Sequence, residues 1–178
     1  MRRIVLLAAL CSCASAGSSS EESTPRQATI YSGPDAPLIL ADRPRAVAAT
    51  VAAPAATVWL ATKKVYAEFE VPLAVENTTT RQLGNSNFYK TRSFAGQSMA
   101  SLVDCGSGMT GPKASSYRIY MSLLSTVEAD GKGGTTLQTT FVPAGQDLSG
   151  NSSDRIPCGT TGRLEALFND RVKAILGK

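Results

Sequence analysis

Residues 115–142, SSYRIYMSLLSTVEADGKGGTTLQTTFV, decide the fold. Tyr117, Ile119, Met121 and Leu123 fall at every second position with Arg118, Tyr120 and Ser122 between them, the two-residue period of a strand buried on one face. Asp130-Gly131-Lys132-Gly133-Gly134 is a turn, after which TTLQTTFV returns as an antiparallel partner with Leu137, Thr139 and Phe141 inward. The same glycines resemble a phosphate-binding loop only superficially. That loop needs Ser or Thr directly after Gly-Lys and a strand-to-helix setting, whereas this stretch joins two strands.

Helical patterns flank the hairpin on both sides. PAATVWLATKKVYAEFEV, from Pro54, places Val58, Ala61, Val65 and Phe69 on one face, with Trp59, Thr62 and Tyr66 beside them and Lys63, Lys64 and Glu68 on the solvated side. Pro54 suits the first helical position, and the helix should end near Glu70, ahead of Pro72. At the other end, GRLEALFNDRVKAILGK spaces Leu164, Leu167, Phe168, Val172, Ile175 and Leu176 helically. Thr160, Thr161 and Gly162 supply its N-cap region and Glu165 its first turn.

Between these elements the chain reads as strands. Val47, Ala49 and Val51 alternate, Leu73 and Val75 lead into a turn at Asn77-Thr78-Thr79, a further turn is expected at Gly84-Asn85, and SMASLVDCG suits a short helix or strand. QATIYSGPDAPLILAD, within residues 27–44, reads as a loose hairpin or extended arm. The expectation is an α+β domain over residues 45–178, an antiparallel sheet with two helices on one face in a helix-grip-like arrangement.

The first residues, MRRIVLLAALCSCASAG, locate the protein. Arg2 and Arg3 precede an apolar run of seven residues, Ile4 to Leu10, far short of the roughly 20 that span a bilayer, so residues 1–12 read as an export signal. Leu10-Cys11-Ser12-Cys13 resembles a bacterial lipobox with Cys13 as the lipidated residue. Cys11 fits less well, because bulky Leu10 would stand directly before the cut. Ala14-Ser15-Ala16 offers the alternative of ordinary cleavage before Gly17 and release as a secreted or periplasmic protein. With Cys13 retained, residues 13–26 form a flexible tether of small and polar residues. The membrane is then reached through the lipid anchor, and Ala14 after the cysteine implies an outer-membrane address.

Composition narrows the chemistry. The leader takes two of the 18 basic residues, leaving 16 against 14 acidic and a net charge of +2, with the basic residues scattered. This excludes no class by itself, but it is not the footprint of nucleic-acid binding. The chain contains no histidine, which removes imidazole acid-base catalysis, Ser-His-Asp triads and imidazole metal ligation. No carboxylate pair is placed for acid-base work, since Asp104 is isolated and Glu68 and Glu70 straddle a helix end. No catalytic residue, metal site or cofactor is therefore expected.

Once the leader is gone, Cys105 and Cys158 are the cysteines left to the domain, and in an oxidising envelope they pair most simply with each other. A free buried thiol is the alternative. A metal site is weaker, because two cysteines without histidine are half a zinc site. The bridge would contribute roughly 4 kcal/mol on the chain-entropy account.

The segments DCGSGMTGPKASSY and IPCGTTGRLE, rich in Gly, Ser and Thr, surround these cysteines. Asp104, Ser107, Thr110, Thr160 and Arg163 could form a rim for a partner or ligand there, and Trp59 and Tyr120 are further candidates. The plainer reading is that the glycines permit tight turns around a disulfide.

The pattern DCGxGxTG, followed by the hairpin and by CxxTGRLE opening the last helix, resembles a group of uncharacterised bacterial envelope lipoproteins over roughly residues 45–177. The order strand, Trp-containing helix, antiparallel strands, final helix is also similar to the helix-grip domains of the lipoprotein BamC of the barrel assembly machinery, which has two such domains. The likeness to BamC is one of element order alone and implies little about activity; the leading expectation is a non-enzymatic envelope lipoprotein that binds a protein partner or serves as an accessory subunit of a membrane complex. The alternative is an apolar small-molecule or lipid binder, which an apolar cavity between sheet and helices would favour. A filled core with an exposed patch near Tyr31, Trp59 or Tyr120 would favour a partner.

Overall fold

A computed structural model describes residues 27–31, 37–42, 46–149 and 153–177. The expected leader, Cys13 and tether lie outside the described residues. In the arm, β1 (Gln27–Tyr31) and β2 (Pro37–Asp42) pair antiparallel, with Gln27 opposite Asp42.

The domain begins with β3 (Val47–Val51) and α1 (Ala55–Glu68). Pro54 is the N-cap of α1, one position earlier than expected, and its carbonyl accepts from the N–H groups of Thr57 and Val58 at 2.9 and 3.0 Å. The helix ends in a Schellman motif: Val71 N–H donates to Tyr66 O, Glu70 N–H donates to Ala67 O, and Glu70 is left-handed with φ 55°. Then come β4 (Val75–Asn77) and β5 (Gln82–Thr91), followed by the small hairpin β6 (Ser93–Phe94) and β7 (Gln97–Ser98). SMASLVDCG forms both a short helix, α2 (Met99–Leu102), and β8 (Val103–Asp104). A second small hairpin, β9 (Ser107–Gly108) and β10 (Gly111–Pro112), leads to β11 (Arg118–Ala129) and β12 (Thr135–Gln146). Two short strands, β13 (Ile156–Pro157) and β14 (Gly159–Thr160), precede α3 (Arg163–Ile175).

The main sheet is antiparallel in the order β13-β12-β11-β5-β4, and β3 shares the outer edge of β12 with β13. The long hairpin is its centre, in unbroken register from Arg118↔Gln146 to Ala129↔Thr135. Its turn is held by Asp130, whose side chain accepts from the N–H groups of Lys132 (2.7 Å) and Gly134 (2.9 Å). β3 pairs with residues 135–139 of β12 and β13 with residues 144–145. Pro143 falls between the two paired segments, where its missing N–H breaks no ladder and its carbonyl still accepts from Cys158 N–H at 3.2 Å.

One turn expected from the sequence is absent. Gly84-Asn85 lies inside β5, which continues through it to Thr91. A bulge follows, since Met121 and Leu123 of β11 oppose Phe88 and Asn85, so two residues of β5 face one of β11. Asn85 is buried and satisfies itself, donating to Pro72 O at 2.7 Å and accepting from Asn87 N–H at 2.8 Å.

Both long helices pack on one face of the sheet, as the sequence predicts. Val58, Ala61 and Val65 of α1 are buried as expected, but Thr62 and Tyr66, read as flanking residues, are buried equally fully and Phe69 only in part. The stripe is rotated because Tyr66 fills the centre of the layer, edge-to-face with Phe168 of α3 at 4.8 Å between ring centroids. From α3, Leu164, Phe168 and Val172 meet Ile119, Met121, Leu123, Leu137 and Phe141 of the hairpin in one core. An ion pair, Arg171 Nε to Glu68 at 2.6 Å, joins the two helices at the surface, where solvent screens it and leaves it a minor contribution.

A line of hydrogen bonds runs through this core. Asn169 Nδ2 donates to Val47 O (3.0 Å) and Thr139 Oγ1 donates to Asn169 Oδ1 (2.7 Å). Ser125 Oγ lies 3.4 Å from Thr139 Oγ1, and the Tyr66 hydroxyl 3.0 Å from Ser125 Oγ. The Tyr66 hydroxyl also reaches Leu83 O (3.3 Å) and Leu123 O (3.2 Å), to which it donates. Desolvation by burial pushes the Tyr66 phenol far above its ordinary value, against the smaller lowering effect of Ser125. The network ties α1, β11, β12, α3 and β3 together without an unpaired group.

Candidate functional site

Cys105 and Cys158 form a disulfide with Cα atoms 4.4 Å apart. It sits where β8 and β14 pair, Val103 opposite Thr160 and Asp104 opposite Gly159, directly ahead of α3. Gly145 of β12 lies against it. A Cβ there would come within 2.8 Å of the Tyr117 ring and 3.1 Å of Cys158 Sγ, so glycine is what lets the bridge approach the sheet.

The rim proposed around the bridge is dispersed over this region. Asp104 is exposed, and its carboxylate accepts from Gly106 N–H at 2.8 Å, closing a local turn. Ser107 and Thr110 are exposed in the β9–β10 hairpin, and Arg163 is exposed at the start of α3. Thr160 turns the other way, its hydroxyl donating to both Glu165 carboxylate oxygens at 2.9 and 3.0 Å. Trp59 is half-buried against the core on α1, and Tyr120 lies on the far face of the sheet. The side chain of Tyr31 is outside the described residues.

Glu165, expected simply as a first-turn acid, is fully buried. The N-cap of α3 is Gly162 at φ 78°, with no side-chain cap, so the Thr160–Glu165 pair takes over at this end. Burial raises the Glu165 carboxyl above its usual range, opposed by hydrogen bonds from its own backbone N–H and from Thr160. The folded state thus holds this proton more tightly than the unfolded chain. The contribution to stability is fully present below the usual carboxylate pKa and is lost as pH rises through the folded value. Glu165→Gln keeps an acceptor for Thr160 and removes the ionisation. Its expected effect is equal or greater stability at pH 7, by about 1 kcal/mol, with a smaller fall in stability between pH 4 and 7 than in the parent. Urea titrations across that range check both.

The residues that stand out most lie on the sheet face opposite the helices. Arg118, Tyr120, Ser122 and Leu124 of β11 alternate with buried neighbours and remain partly exposed, beside Thr140, Val142 and Ala144 of β12. Register places Tyr89 of β5 opposite Tyr120, ring centroids 5.8 Å apart, and Tyr89 is 55% exposed. Each ring carries a guanidinium: Arg118 Cζ is 5.0 Å from the Tyr89 centroid and Arg155 Cζ is 3.5 Å from that of Tyr120. The Tyr120 hydroxyl donates to Gln146 Oε1 at 3.1 Å. Hydrogen bonding between Arg118 and the Tyr120 phenol, followed by the nearby positive charges of Arg118 and Arg155, lowers the phenol's pKa. Of these groups the sequence marks only Tyr120. Its alternation also exposes Arg118, but Tyr89 and Arg155 join through strand register and a loop, which no local pattern reveals.

A cleft of about 470 Å³ lies where the end of α1 meets the β6–β7 hairpin. Phe69 and Phe94 share its lining with Glu68, Glu70 and Lys90, and the last two form an ion pair at 3.4 Å. Among the described residues no cluster of three metal-ligating side chains occurs, and no helix is long and apolar enough to cross a membrane.

Comparison with known protein families and with curated proteins finds no match to this chain.

Proposed function

We propose that this chain is a non-enzymatic lipoprotein of the bacterial cell envelope, anchored through Cys13, that binds a protein partner as an accessory subunit of a membrane complex.

 Its place is the periplasmic face of the outer membrane. The observation that carries the binding role is the open sheet face, where Tyr89 and Tyr120 stand together under two stacked guanidiniums, while the space between sheet and helices is filled by the protein's own side chains. Tyr and Arg are the residues that most often carry binding energy at protein interfaces. The cleft beside α1 does not suit an apolar molecule, because Glu68, Glu70 and Lys90 line it.

Two experiments test this reading. Cys13→Ala should move the protein from the membrane to the soluble fraction, and unchanged fractionation would dispose of the lipid anchor. For binding, the mature protein is purified from solubilised membranes beside a Tyr89→Ala variant, and co-purifying proteins are identified by mass spectrometry. A partner retained by the parent and depleted about tenfold with the variant is expected, as for loss of an aromatic anchor. Equal recovery by both would remove the face from the account.

A further inference from the structure

We propose that the end of the open sheet face carrying Arg118, Arg155, Tyr89 and Tyr120 docks an acidic polypeptide segment of the partner. This rests on the partner-binding reading above and adds the chemistry of what is bound.

Among the described residues, neither Arg118 nor Arg155 is ion-paired with a carboxylate; Lys64, Arg81, Arg92, Lys113, Lys132 and Arg163 share that, but Arg118 and Arg155 are the two that lie together over a pair of tyrosine rings. Asp147, next to Gln146 in the chain, is engaged instead by the N–H and hydroxyl of Ser149 at 2.8 and 2.7 Å. Arg118 Nε is buried and has no hydrogen-bond partner. A buried donor left unpaired costs free energy that an incoming acceptor recovers.

The geometry then selects the acceptor. Both guanidiniums lie against tyrosine rings and also interact with the Tyr120 phenol, but a guanidinium has five N–H donors, enough left over for the fork that a carboxylate meets with two parallel bonds. Because the tyrosines already hold both guanidiniums, less side-chain freedom is lost on binding. Arginines held against tyrosine rings differ from the snorkelling cations that suit a lipid surface. The ring of Tyr120 is covered by Arg155, which disfavours a sugar stacking there. Around the pair, Ser122, Thr140 and Ala144 are small and Val142 is exposed, leaving room for an extended segment with acidic and apolar side chains.

The test is an NMR titration of the full chain bearing Cys13→Ala with hexaglutamate, and with hexaglutamine as the uncharged control. Shifts centred on Tyr89, Arg118, Tyr120 and Arg155 with hexaglutamate alone are expected. Affinity should fall about tenfold in Arg155→Gln, an exposed position where folding is not at risk, and stay unchanged in Lys64→Gln on the outer side of α1. Shifts elsewhere, or equal shifts with both peptides, overturn the proposal. If the Tyr89-dependent partner of the previous section is still recovered, the partner reading stands and only its acidic character falls. If no such partner is recovered, that reading falls too. Sedimentation with phosphatidylglycerol vesicles that Arg155→Gln abolishes, without hexaglutamate shifts, would assign the face to a membrane and also overturn the proposal.

Discussion

Gly84→Ala is expected to lower the stability of the domain by about 4 kcal/mol, a large part of the 5–15 kcal/mol typical of a whole domain. Gly84 lies within β5 at φ 143°, a backbone conformation that side chains rarely adopt. A Cβ there would run into the carbonyl of Leu123 and stand 2.8 Å from the Tyr66 hydroxyl. That hydroxyl lies 3.3 Å from Leu83 O and 3.2 Å from Leu123 O, so it has no room to retreat without leaving the buried network. Gly159→Ala is the control, since its Cβ would meet nothing nearer than Asp104 O at 3.9 Å. Urea unfolding of both variants is the measurement. A Gly84→Ala loss within 1 kcal/mol of the control would mean that the close packing of Tyr66 against this glycine is not what holds α1 to the sheet.

The second large effect belongs to the disulfide. Replacing both Cys105 and Cys158 by alanine should cost about 4 kcal/mol, the chain-entropy value for a loop of this span, the two residues being 53 apart in sequence. Beyond the entropy, the bridge fixes the β8–β14 pair, and with it the hydrogen bonds from Thr161 to Leu102 O that hold the approach to α3. Hydrogen exchange in the double variant should therefore rise most at the start of α3 and in α2, and less in the centre of β11. A stability loss below about 1 kcal/mol, or uniform exchange across the domain, would contradict a role for the bridge in pinning that helix.

The parts legible in the sequence are those with a strong local period. In β11 the alternation of Ile119, Met121 and Leu123 with Arg118, Tyr120 and Ser122 maps onto buried and partly exposed positions without a break. In α3, Leu164, Phe168 and Val172 do the same at helical spacing. The errors arise where tertiary contacts override local cues. Gly84-Asn85 looks like a turn because turns favour those residue types, yet glycine is there to admit Leu123 O and Tyr66, and asparagine to bond Pro72 O. Glu165 looks like a surface acid because first turns favour acids, but the Cys105–Cys158 bridge and the β8–β14 pair bring Thr160 over it. The open sheet face is half legible in the sequence. Arg118 and Tyr120 follow from alternation, whereas Tyr89 depends on a register shifted by the β5 bulge, and Arg155 on a loop folded back over the sheet.

The domain is filled between sheet and helices, and the opposite sheet face is the one proposed to bind a partner. Site-specific photo-crosslinking in intact cells tests that division most directly, with the photoreactive residue placed in turn at Tyr89 on the open face and at Leu60, which is 61% exposed on α1. The account predicts a discrete protein adduct from position 89 that is lost when Arg155→Gln is introduced, and none from position 60. Adducts from position 60 alone, or adducts from position 89 indifferent to Arg155, would contradict it.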